Sequence, residues 1–140
     1  MKNYTNQILE NKNFCAANLE EADFSNSKLN SCNFAGAELA NSKMILTIAK
    51  NCDFSDTDLS EMIIQNSIFK KCNFKRASIK ETKLRNTIFE NCDFRFARIE
   101  EDFLNMGKFV NCKGLSKDIF IYPKKMSYMF NSSNTKNNPA

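Results

Sequence analysis

No histidine occurs in these 140 residues, and there are only three glycines and two prolines. Without histidine the chain lacks the usual base for a serine or cysteine nucleophile and the commonest metal ligand. No glycine-rich phosphate loop is present. So few glycines also mean that the turns either suit ordinary residues or give their demanding positions to Asn and Asp. There is no long apolar run, and residues 1–14 do not read as a leader, so the expectation is a cytoplasmic protein with no membrane contact. Carboxylates pair at Glu20 and Glu21, Asp56 and Asp58, and Glu100 and Glu101. Acid–base catalysis would need a cleft to separate their pKa values, and a regular surface offers none. The reading is therefore a non-enzyme: no catalytic residue, no cofactor, no metal, no small-molecule substrate.

What the chain does have is rhythm. Cys32, Cys52, Cys72, Cys92 and Cys112 are spaced by twenty, and the first four are each followed two residues later by Phe. Within the twenty runs a beat of five: every fifth residue from Phe14 to Phe109 is apolar, twenty in a row. Two positions earlier stands a small residue, the exceptions being Lys12, Met62, Asp102 and Gly107.

A period of five matches neither an amphipathic helix nor an alternating strand. The chain must turn at every pentad, and four pentads close a square with the fifth above the first. Sorting by twenty supports this, giving columns such as Phe14, Phe34, Phe54, Phe74, Phe94 and Leu19, Leu39, Leu59, Ile79, Ile99. Exact repetition of this kind is the mark of stacked coils. Cysteines stacked in register about 4.8 Å apart suit neither a disulfide nor a tetrahedral zinc site, so they read as small buried hydrophobes. Cys15, at an outward position, is the one candidate for a reactive thiol.

The pentads that begin at Ala17, Ala22, Ser27, Cys32 and Ala37 read ANLEE, ADFSN, SKLNS, CNFAG and AELAN. They resemble the A(D/N)LXX unit of pentapeptide-repeat proteins, over roughly residues 12–112. The resemblance implies an all-β fold, a right-handed quadrilateral parallel β-helix of about five coils. It further implies that one activity of the family, imitating duplex DNA with an acidic rod to engage DNA gyrase and related topoisomerases, should be considered. A net charge of +4 disfavours that alternative. A noncatalytic protein-binding or scaffold rod is the preferred reading.

The expected organisation is a partial coil or cap at 1–11, the repeat at 12–112, a cap or dimerisation segment at 113–130 and a disordered tail at 131–140. Tyr4 and Leu9 continue the beat at the amino end. Beyond Gly114, where the beat fails, Leu115, Ile119, Phe120, Ile121 and Tyr122 are too apolar for a free tail. They are expected to cover the last coil or to pair with another chain as a homodimer through the solenoid end.

Three surface features remain. Ile48, Ile68 and Ile88 fall on one side, with Ile45, Leu46 and Met106 around the adjoining corner and Ile63 and Phe103 on the next side. This stripe reads either as an interface for a protein partner or as a ladder that merely favours strand stacking. Lys70, Lys71, Lys75, Arg76, Lys80, Lys83 and Arg85 form a basic collar in the carboxy-terminal part, where residues 62–140 carry fifteen basic and seven acidic side chains. Spread around the rod and without exposed aromatics among them, they read as a solvated collar before a weak nucleic-acid site. Glu21, Glu61, Glu81 and Glu101 form an acidic file interrupted by Asn41.

Overall fold

The computed structural model describes residues 2–115 and the backbone of 120–122. The strands are very short: β1 (Ile8–Glu10), β2 (Lys28–Asn30), β3 (Lys43–Ile45), β4 (Ile48–Lys50), β5 (Ile63–Gln65), β6 (Ile68–Lys70), β7 (Ser78–Ile79), β8 (Lys83–Arg85), β9 (Thr87–Glu90) and β10 (Arg98–Glu100). A helical turn, α1 (Glu101–Met106), then precedes β11 (Gly107–Val110) and β12 (Phe120–Tyr122). Each strand pairs in parallel with the one a full circuit later, as in Ile48↔Ile68 and Ile68↔Ile88. The sheets run β1-β2-β4-β6-β9-β11, β3-β5-β8 and β7-β10-β12, and a fourth side is held by isolated bridges such as Asn33↔Asp53 and Asn73↔Asp93. This is the four-sided parallel β-solenoid expected from the beat.

The core is the beat itself. Of its twenty residues, all but the half-buried Phe14 are buried. Phe34, Phe54, Phe74 and Phe94 stack with ring centroids 4.8–5.0 Å apart, and Phe69, Phe89 and Phe109 form a second stack. The two stacks meet edge to face, as at Phe74 and Phe89, 5.7 Å apart. Each such pair contributes roughly 0.5–1.5 kcal/mol beyond its burial. At the amino end Tyr4 stacks on Phe24 at 4.8 Å, and β1 lies in register under β2.

Corners use the left-handed region at the second residue after the beat residue, from Asn6 to Asn111, except at Glu101 and Met106, which belong to α1. Asparagine occupies nine of the nineteen non-glycine positions, because its short polar side chain tolerates positive φ. The scarcity of glycine is explained by this substitution. Gly114 is different: φ is +81°, and a Cβ there would come within 2.5 Å of the Arg95 nitrogen.

The A(D/N) signature also acquires a cause. Where Asn or Asp precedes the beat residue, its Oδ1 accepts the N–H two residues on, as at Asn13, Asp53, Asn73 and Asp93, at 2.9–3.0 Å. These Asx turns bend the pentad and leave one bridge. Where Lys or Ile stands instead, as at Lys43, Ile48 and Ile68, a three-residue strand forms. The small corner residues are satisfied too: Thr47 and Ser67 donate to the carbonyls of Phe24 and Met44 at 2.9 and 3.0 Å.

One expectation is corrected. The beat of twenty in a row predicts an unbroken register, yet α1 replaces a strand on the third side of the last full coil. Asp102 stands where a small corner residue belongs, and Phe103, read as outward, turns inward to 4% exposure and packs 5.5 Å from Phe89. The large apolar side chain gains more from the core than a three-residue strand would from its ladder. Gly107 then restores the beat, and a Cβ there would press on Leu84 and Phe109 at 2.7 and 3.1 Å. The strand β12 stacks in parallel on β10, pairing Arg98 with Phe120. The expectations for 116–119 and 123–140, which include Ile119 in the cap or homodimer segment and the tail at 131–140, lie outside the described residues.

Candidate functional site

The isoleucine file lies on the six-stranded side. Ile48, Ile68 and Ile88 are consecutive partners in register, bounded by Lys28 below and Lys108 above. All three are half-buried by their neighbours. Lys50, Lys70 and Glu90 form a parallel charged file two residues on, with Lys70 Nζ 4.0 Å from the Glu90 carboxylate. Leu46, at the adjoining corner, is 55% exposed with φ +59°. Ile63 is on the next side, between Lys43 and Lys83, and so stands alone. Phe103 is buried and drops out of the stripe.

The basic collar is not one patch. Lys70 and Lys71 flank one corner, Lys75 and Arg76 the next, and Lys80, Lys83 and Arg85 follow around the coil. Arg76 makes a bidentate bridge to Asp56 at 2.8 and 3.1 Å, and its guanidinium holds that carboxyl below the usual range. Asp93 is likewise held down by Arg95, 2.7 Å away, against the opposing effect of burial. The acidic file is also broken: Glu21, Glu61 and Glu81 occupy left-handed corners, but Glu101 begins α1 and is 5% exposed. Its Oε2 is buried without a hydrogen-bond partner among the described residues.

The cysteine ladder is buried and tied to the backbone. Each Sγ from Cys32 to Cys112 donates to a carbonyl of the coil below at 3.3–3.5 Å. Contacts with Cys52 and Cys92, together with burial, push the Cys72 thiol well above its ordinary value. Held protonated in the stack, the Cys72 thiol is a poor nucleophile and a poor ligand. Cys15 is exposed.

Hollows open on the surface beside these features. One, of about 460 Å³, opens beside α1, where β8 ends its sheet, and its walls include Leu84, Arg85, Glu100, Phe103 and Met106. There the Glu100 carboxylate accepts the Glu81 N–H at 2.5 Å, replacing the carbonyl that Lys80 gives to Glu61 in the coil beneath. Another, of about 630 Å³, lies on the adjacent side among Asp56, Asp58, Arg76, Lys80, Phe96 and Arg98. Phe96 escaped the sequence reading because it falls between beat residues. Its signal was visible as a large ring at a corner position where polar residues prevail.

A regular stack of four-sided coils, with every site on its outer skin, defines a β-solenoid repeat protein. A sequence profile of pentapeptide repeats matches residues 5–36 and 52–95 in eight copies. More than half of the chain is covered, and it belongs to the pentapeptide-repeat family. No curated protein matches the chain. Among solved structures it is similar to a pentapeptide repeat protein of the Arabidopsis thaliana thylakoid lumen, at 23% identity over 77% of this chain and 81% of that one, with a TM-score of 0.39. It is also similar to full-length QnrB1, a plasmid-mediated fluoroquinolone resistance protein, at 15% identity over 76% and 67% of the two chains and a TM-score of 0.39. A pentapeptide repeat protein of the cyanobacterium Cyanothece aligns at 17% identity over 86% and 88%, with a TM-score of 0.36. Among the described residues no helix is long and apolar enough to cross a membrane.

Proposed function

We propose that this chain is a noncatalytic rod that binds a protein partner through the side carrying Ile48, Ile68 and Ile88. The supporting observation is the file itself: three β-branched side chains in consecutive register, closed at both ends by lysine and flanked by Lys50, Lys70 and Glu90. An apolar centre with a charged rim is the anatomy of a protein interface. Leu46, in water and at positive φ, extends the strip around the corner at a conformational cost that the fold alone does not require. Topoisomerase inhibition by DNA mimicry is the weaker reading, since it asks for an acidic rod and the collar region is basic. Cytoplasmic placement belongs to the same proposal.

Ile68→Lys tests it. Proteins retained from cell extract by the parent rod should be lost with Ile68→Lys and kept with Lys50→Gln, while the melting temperature changes little. Light scattering on the same variants separates a foreign partner from a second copy. Equal retention by parent and Ile68→Lys would remove the interface, and strong inhibition of gyrase supercoiling by the parent would replace it with the mimic.

A further inference from the structure

Phe96 is 71% exposed although its backbone sits at φ +64°, where asparagine serves most often elsewhere in the rod. A bulky ring held in strained backbone and in water contributes nothing to packing, and such an outlier points to use of the side chain outside the fold. Its surroundings form a small grid. The corner file rises Asp56, Arg76, Phe96; the file beside it rises Asp58, Ser78, Arg98, paired in register; Ser60 and Lys80 stand in the third. Acidic groups occupy the lowest level, Arg76 and Lys80 the middle one and Arg98 the top, where Glu100 completes the third file with its carboxylate taken by the Glu81 N–H. Asp56 is neutralised by the Arg76 bridge, and Asp58 accepts the N–H and the hydroxyl of Ser60 at 3.0 and 2.5 Å. The hollow they line has a volume of about 630 Å³.

An aromatic platform next to cations and short hydroxyls matches the needs of an unpaired nucleotide: a π-face to stack on, positive charge for phosphate, and donors and acceptors for a base edge. Duplex DNA keeps its bases stacked inside and would meet only the cations. We infer that this corner binds single-stranded nucleic acid, with the Phe96 ring stacking on one base. Lys80 of the collar thereby gains the exposed aromatic that sequence alone did not assign to it. The site lies across the rod from the isoleucine file and is independent of it.

The test is fluorescence anisotropy with labelled single-stranded and duplex oligonucleotides of equal length at low and moderate salt. The single strand should bind more tightly, with affinity falling as salt rises. Phe96→Ala should weaken it about tenfold, the size of one lost stacking contact, and Phe96→Tyr should retain it. Phe96→Asn suits the backbone, so it should melt no lower than the parent and still lose binding, which separates use of the ring from damage to the fold. Ile68→Lys should leave this binding unchanged whatever becomes of the protein interface. Three results would overturn the inference: no measurable binding at low salt, duplex binding equal to single-strand binding and indifferent to Phe96, or a change of oligomeric state in Phe96→Ala that marks the ring as a self-association contact.

Discussion

The side centred on Phe54 and Phe74 and the side centred on Ala49 and Phe69 share one core but meet water differently. On the first, Asn13, Asn33, Asp53, Asn73 and Asp93 precede the beat residues, and the chain bends through Asx turns with single bridges between coils. On the other, Lys28, Ile48, Ile68, Ile88 and Lys108 take the same place, and a continuous six-stranded ladder forms. On these two sides one outward residue per pentad separates turn from strand. The side that gives up the local hydrogen bond gains a straight, apolar surface. A straight apolar surface and a bend are alternatives at a single position.

The most forceful attack on this comparison goes through the core, which should not distinguish the two sides. Phe74→Ala and Phe69→Ala should each cost about 3–5 kcal/mol in urea or thermal unfolding, as large aromatic truncations do. A melting temperature unchanged by Phe74→Ala would contradict its place in the stack, and a wide gap between the two variants would mean that the sides fold separately. A gentler attack exchanges the outward residues. Asn73→Ile removes the acceptor of the Lys75 N–H and should cost about 1 kcal/mol, the net worth of one hydrogen bond. Ile68→Asn should cost less than about 1 kcal/mol, within the span of surface strand preferences. If Asn73→Ile unfolds no more easily than the parent, the Asx bond does not set the bend.

The smallest effect concerns the corner between these sides, where Cys72 sits. Its folded pKa is raised, so its contribution is fully present below the ordinary thiol range near pH 8.5 and is lost as pH rises and the unfolded chain ionises first. Under reducing conditions, unfolding at pH 7 and at pH 10 should show a drop in stability that Cys72→Ala makes shallower. An identical alkaline drop in the variant would show that the thiol stays out of the linkage.

The coil was legible in the sequence because each beat residue has one inward direction and every circuit repeats it. The N–H satisfaction behind the A(D/N) signature was not, since it depends on a hydrogen bond two residues long that periodicity does not register. The helical turn α1 left only two traces, Asp102 and Gly107, while Leu104 kept the beat and hid the change. Phe103 was misplaced for the same reason: its inward turn follows from the helix, not from the count of five. Among the surface residues, Ile48, Ile68 and Ile88 stack as their spacing requires, whereas Phe96 became noticeable only when its corner backbone and exposure were known.

The six residues of α1 occupy one wall of a circuit whose next wall still pairs Gly107 with Thr87, twenty positions apart. A whole wall can thus be rebuilt in another secondary structure while its neighbours keep their partners. In a rod made this way novelty can be confined to one panel at a time, so a new recess such as the one beside β8 can arise without renegotiating the architecture around it.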